Sequence, residues 1–185
     1  MAVDHEKIER HLLDSAAEVL CRDSGASLAQ VASAAGVSRT TLHRHFATRQ
    51  DLLRALAHDA LDRVAAAVDG SVLAEGPAAE VLTAVAAAVL PLADELRFLD
   101  LGASVWNLPE LIERWYDLAE PLEAVIRKGQ RDGALRADQP PAWIVDVFTS
   151  TVWAASDGIR DGRIARRDAV GLIVDTVLNG TVARK

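Results

Sequence analysis

A run of hydrogen-bond donors lies between Ser38 and Arg49: Ser38, Arg39, Thr40, Thr41, His43, Arg44, His45, Thr48 and Arg49. If a helix begins at Arg39, then Arg39, Thr40, His43 and Arg44 share one side of it, because residues three and four apart are surface neighbours. Guanidinium forks match the two acceptors of a guanine edge, and hydroxyls and imidazoles bond either bases or phosphates. Side chains of this kind on one helix face suit a nucleic-acid groove. They need a scaffold that holds that face outward.

The preceding residues supply such a scaffold. Residues 28–47, LAQVASAAGVSRTTLHRHFA, read as two short helices joined by a sharp turn. Counting from Leu28, Ala32 falls fifth, where two steeply crossing helices leave room for little more than a methyl. Gly36 falls ninth, at the turn, where a left-handed backbone is cheapest without a Cβ. Val31, Ala35, Val37 and Leu42 provide the apolar positions that rest on a third helix. Ser27 with Gln30 three residues later is a capping box, Ser38 caps the second helix, and Thr48 with Asp51 marks a new start near Arg49. Free amides at that last start, beside Arg49, form a clamp for a phosphate. Ser27, Ser38, Thr41, His45, Thr48 and Arg49 therefore join Arg39, Thr40, His43 and Arg44 as candidate contacts.

Ile8 to Arg22 completes the unit as an amphipathic helix, apolar at 8, 12, 13, 16, 19 and 20. From Ile8 through Leu53 the chain resembles the N-terminal domain of the tetracycline-repressor (TetR) family of bacterial transcriptional regulators. The residues that carry the resemblance are Ala32, Ala35-Gly36-Val37-Ser38, Leu42, His45-Phe46, Arg49 and Leu52-Leu53. It implies an all-α protein with an N-terminal helix-turn-helix domain and a C-terminal helical domain for ligand binding and dimerisation. It also implies a ligand-responsive repressor that binds a palindromic operator as a homodimer and is released by a small molecule. Two positions depart from the family pattern. His43 stands where a Tyr is usual, and the loop Asp23-Ser24-Gly25-Ala26 is shorter than usual, without the common aromatic.

Composition is consistent with this. The 185 residues are 50% hydrophobic and 25% charged, with no low-complexity tract, which describes a globular protein. A single cysteine excludes an intrachain disulfide, and the opening MAVDHEKIER has no apolar core of a signal peptide, so a cytoplasmic location is expected. The net charge of −7 argues against a polyanionic partner until its distribution is considered. Lys7, Arg10, Arg22, Arg39, Arg44 and Arg49 balance Asp4, Glu6, Glu9, Asp14, Glu18 and Asp23, so residues beyond 50 hold the whole excess. No acid lies between residues 24 and 50. Local potential governs approach to phosphates, and the acidic remainder confines contact to the N-terminal face.

Beyond Arg49, helix signals dominate. Expected helices run from Arg49 to about Asp69-Gly70, from Pro77 with Pro91 near its end, around Arg97 to Val105, from Pro109 to Lys128 with a kink at Pro121, from Trp143 to about Ser156, and from about Arg167 to Leu178. Arg131-Asp132-Gly133 and Asn179-Gly180 act as stops. That makes about nine helices, with no internal repeat visible. Residues 1–47 are assigned to DNA and 48–185 to ligand binding and dimerisation. Segments 142–156 and 167–178 are apolar on more than one face, so each is buried on two sides; in the resembling family one side meets the other subunit, and a thicker monomeric core is the competing reading. Val174, in mid-helix, is taken as an interface residue. Phe98, Trp106, Trp115, Tyr116, Phe148 and Trp153 are candidate walls of an effector cavity, with ordinary core packing as the competing reading.

No phosphate loop, nucleophile elbow or metal-ligand spacing is present in the sequence, so no enzyme, cofactor or metal is expected. The alternatives left open are a helical protein-interaction adaptor and a helical-bundle enzyme, each with a purely structural helix-turn-helix. DNA retardation by the purified protein separates them from a regulator.

Overall fold

A computed structural model describes residues 2–70, 72–73, 76–93 and 108–181. Among these, eight α-helices and no strand are found. They are α1 (Ala2–Arg22), α2 (Leu28–Ala34), α3 (Arg39–His45), α4 (Arg49–Ala67), α5 (Ala78–Ala93), α6 (Pro109–Arg131), α7 (Pro141–Arg160) and α8 (Arg166–Thr181). The helix expected around Arg97 to Val105 lies outside the described residues. The chain falls into two compact units. One reaches Asp62 and takes in the start of α6 as far as Glu113, and the other holds Arg63 to Ala93 and Arg114 onward.

The first unit is built on α1, whose Leu12, Leu13, Ala16 and Leu20 are buried at helical spacing. Leu52, Leu56, Ala57, Ala60 and Leu61 of α4 are buried in the same pattern. An Arg10–Asp59 ion pair ties α1 to α4. Arg54 on α4 faces Glu110 in the first turn of α6, with Nε and Oε1 3.3 Å apart.

The second unit has its own core. Val81, Leu82, Val85 and Leu90 of α5 pack with Ile126 of α6, Ile144, Phe148 and Val152 of α7, and Ile173 and Val177 of α8. Pro121 lies inside α6 and the helix runs through it. The carbonyl of Asp117 that loses its donor there belongs to an exposed residue.

Two expectations are corrected here. Asn179-Gly180 does not stop α8, which continues to Thr181. The Arg136 guanidinium donates to the Gly180 carbonyl at 3.4 Å, and a cation at a helix C-terminus favours one more turn. A hydrogen bond from that guanidinium to Asp138 raises its pKa above the ordinary arginine value, so it stays charged. The second correction is that the chain does contain a short repeat. Residues 129–135, GQRDGAL, and 158–164, GIRDGRI, have the form Gly-X-Arg-Asp-Gly-X-Leu/Ile. The two segments close α6 and α7 in the same way. The carbonyl of the first Gly accepts from the amides five and six residues on, at 2.9 and 3.0 Å for Gly129 and at 2.8 and 3.0 Å for Gly158. The second Gly, Gly133 or Gly162, has positive φ, and the final aliphatic folds back over the first Gly.

Candidate nucleic-acid interface

The turn between α2 and α3 follows from its residues. Ala35 and Val37 donate to the carbonyls of Val31 and Ala32 at 2.9 and 3.0 Å, and Gly36 between them has φ 65°. Any L side chain at Gly36 is strained in that conformation. Val31 and Ala32 are each 1% exposed and Leu42 is wholly buried. Burying a leucine side chain of this kind contributes about 1.5–3 kcal/mol. His11 of α1 donates through Nε2 to the Ala35 carbonyl at 3.0 Å, which anchors the end of α2 to the supporting helix.

All three expected caps form. Ser27 accepts from the Gln30 amide through Oγ at 3.4 Å, while the Ser27 amide donates to Gln30 Oε1 at 2.8 Å. Ser38 Oγ accepts from the Thr41 amide at 3.0 Å and lies 2.9 Å from Thr41 Oγ1. The Thr48 amide donates to Asp51 Oδ2 at 2.9 Å, and the Asp51 amide donates back to Thr48 Oγ1 at 3.1 Å. Each bond satisfies a donor that a helix start leaves over, and losing one cap costs about 1 kcal/mol.

With α3 fixed this way, Ser38, Arg39, Thr40, His43 and Arg44 are exposed and Thr41 is half-buried. Arg39 and His43, one turn apart, line an open depression of about 230 Å³ together with Ser27, Leu28, Ala29 and Leu42. Leu28 and Ala29 carry no side-chain donor, so the donor pattern does not mark them. Their signal was position, since the first turn of α2 abuts the recognition face. The lining of the depression joins the apolar Leu28, Ala29 and Leu42 with the polar Ser27, Arg39 and His43, which suits a base edge carrying both kinds of surface.

Beyond the capping residues, three further candidates are engaged within the protein itself. His43 donates through Nδ1 to the Ala47 carbonyl at 3.2 Å. Both ring nitrogens of His45 are shielded from solvent, and its ring lies 6.3 Å from that of the buried Phe46. Arg49 is half-buried and its Nη2 donates to the Ser24 carbonyl at 2.5 Å. That bond ties the short α1–α2 loop to the start of α4.

The described aromatic candidates differ in burial. Phe148 is 3% exposed within the core of the second unit, and Trp153 is half-buried against that core. Trp115 is half-buried on α6, and Tyr116 beside it is 61% exposed. Phe98 and Trp106 lie outside the described residues.

Known proteins share this arrangement. A family described as bacterial regulatory proteins, tetR family, matches residues 12–56. The transcriptional repressor LfrR of Mycolicibacterium smegmatis is 32% identical over 177 residues, spanning 96% of this chain and 92% of LfrR. The transcriptional regulator NfxB of Pseudomonas aeruginosa is 27% identical over 181 residues, 93% of each chain. A crystal structure of LfrR in complex with proflavine matches with a TM-score of 0.82 and 30% identity, covering 98% of this chain and 99% of that one.

Proposed function

The chain belongs to the TetR family of bacterial transcriptional regulators, and we propose that it acts as a homodimeric repressor released from its operator by a small hydrophobic molecule. The observation that carries this reading is the capped α2–turn–α3 unit, which presents Arg39, Thr40, His43 and Arg44 to solvent in an acid-free stretch. Residues 1–47 read DNA and residues 48–185 sense the effector and dimerise. Arg39 and Arg44 address base edges. Arg49 takes a phosphate with the guanidinium donors that its bond to Ser24 leaves over.

Dimerisation through α7 and α8 is supported by what those helices leave uncovered. Trp143 is 55% exposed and Leu172 is 48% exposed, although their neighbours Ile144 and Ile173 are buried. In a two-fold dimer the two α3 helices enter successive major grooves about 34 Å apart. An effector that favours a different spacing lowers affinity for both half-sites together. Reversing occupancy from 1:99 to 99:1 takes about 5.5 kcal/mol of differential affinity.

The test is retention of fragmented genomic DNA by the purified protein, followed by sequencing of what is kept and titration of that DNA with proflavine, the compound bound by the LfrR relative. Retention of a few palindromic fragments and their release by proflavine or another flat hydrophobic compound is expected. Retention without sequence preference overturns the operator reading. Specific retention that no compound from such a set relieves overturns the effector reading.

A further inference from the structure

His43 has one ring nitrogen committed and one left over. Its Nδ1 lies 3.2 Å from the Ala47 carbonyl, an acceptor only, so Nδ1 must carry the hydrogen. In the neutral ring that fixes the tautomer and leaves Nε2 as a bare acceptor. The side chain is exposed and lines the depression that it shares with Arg39, one helical turn earlier on the same side of α3. Arg39 brings only donors to that space, and His43 in this tautomer brings only an acceptor.

The four base pairs differ in the major groove by where they offer acceptors and where they offer an exocyclic amine. Guanine shows N7 and O6, thymine shows O4, and adenine and cytosine show an amino donor. A lone acceptor held at the groove has the amine as its partner and is repelled by O6 or O4. Resting on the DNA-binding reading above, we infer that His43 is a specificity-determining residue. Through Nε2 it selects adenine or cytosine, by the exocyclic amine, close to the base pair whose acceptors Arg39 engages. The bond to Ala47 is what makes this readout one-sided, because a freely rotating imidazole would present either nitrogen. It also positions the ring, since Ala47 lies just past the end of α3 and holds the side chain toward the C-terminal part of the helix.

The test is selection from random double-stranded DNA at pH 8, using full-length wild type, His43→Gln and His43→Lys. Thermal unfolding of each variant is measured in parallel. Wild type should select one position per half-site as adenine or cytosine over guanine or thymine by about tenfold. His43→Gln, which keeps an acceptor, should retain the adenine preference. His43→Lys, which has donors only, should turn that same position toward guanine or thymine. A wild-type site whose adenine is replaced by purine, lacking the amine, should bind about tenfold more weakly to wild type and equally well to His43→Lys. If both variants weaken every selected sequence alike, or merely lower the melting temperature, His43 serves phosphate or the end of α3 and the inference is overturned. If wild type selects no motif, the operator reading itself has failed and this inference with it.

Discussion

The two units contrast in how α2, α3 and α4 on one side and α7 on the other are started. In the first, Ser27, Ser38 and Thr48 each start a helix through a hydroxyl paired with a residue three positions on. His11 and Arg49 then donate to single backbone carbonyls to fix the supporting helix and loop. In the second, α7 begins at Pro141 after an N-cap, Pro140, that offers no side-chain cap, and its orientation comes from Ile144, Val145, Phe148 and Val152 packing into a shared core. Directional bonds hold one geometry, which a DNA-reading face requires. An aliphatic core tolerates repacking at modest cost, which suits the ligand-sensing role proposed for this unit.

The largest effect expected from this difference is at α8. The sequence reading takes Val174 as an interface residue, but it is only 8% exposed within its own core, whereas Leu172 two residues away is 48% exposed. Val174→Asp should therefore bury an unpaired charge and cost about 3–5 kcal/mol, seen as collapse of thermal stability. Leu172→Asp should keep the monomer fold and its melting profile while reducing the assembled mass in sedimentation. A stable, folded Val174→Asp protein would refute the core placement. A dimeric Leu172→Asp protein would refute the interface.

How much was legible in the sequence follows the same division. Ser27 with Gln30, Ser38 with Thr41, and Thr48 with Asp51 act over three residues, so a linear reading finds them. Gly36 was legible too, because its role depends on its own φ. Asn179-Gly180 was misread as a stop, since the partner that lets α8 continue is Arg136, 44 residues earlier in the chain. The same limit applies to Arg49, whose partner Ser24 is set by tertiary packing, and to Val174, whose face depends on which side of α8 meets α5 and α7. Of the contact face, type and exposure were legible at Arg39, Thr40, His43 and Arg44. The inward turn of His45 was not, because the donor pattern gave no weight to Phe46 beside it.

Glycine-to-alanine changes sharpen the contrast, since the same methyl meets a different obstacle in each unit. At Gly158 a Cβ would come within 2.5 Å of Ile164 Cδ1 and 2.9 Å of Cγ1. Gly158→Ala should cost about 1–3 kcal/mol by crowding, and Ile164→Ala should make that cost smaller in a double-mutant cycle. At Gly36 the space is open and the obstacle is φ 65°. Gly36→Ala should cost about 1–2 kcal/mol, and Gly36→Asn should cost less because Asn enters the left-handed region more readily. Denaturant midpoints at unchanged slope measure all five variants, the double mutant included. Equal costs for Ala and Asn at position 36 would mean that backbone strain is not the cause.

The smallest effect, and the one of opposite sign, is expected at Gly180. It lies inside α8 with helical backbone, nothing stands within 4 Å of an added Cβ, and only its carbonyl is used, by Arg136. Alanine there keeps the carbonyl and restricts the unfolded chain, so Gly180→Ala should stabilise the protein by about 0.5–1 kcal/mol. That gain corresponds to a rise of only a few degrees in melting temperature for a chain of this size. It depends on Arg136 holding the last turn of α8. In an Arg136→Ala background the turn should fray and the benefit shrink toward zero. A loss of stability from Gly180→Ala in the wild-type background would show instead that Asn179-Gly180 ends the helix in solution, and that the second unit, like the first, obeys its local signals.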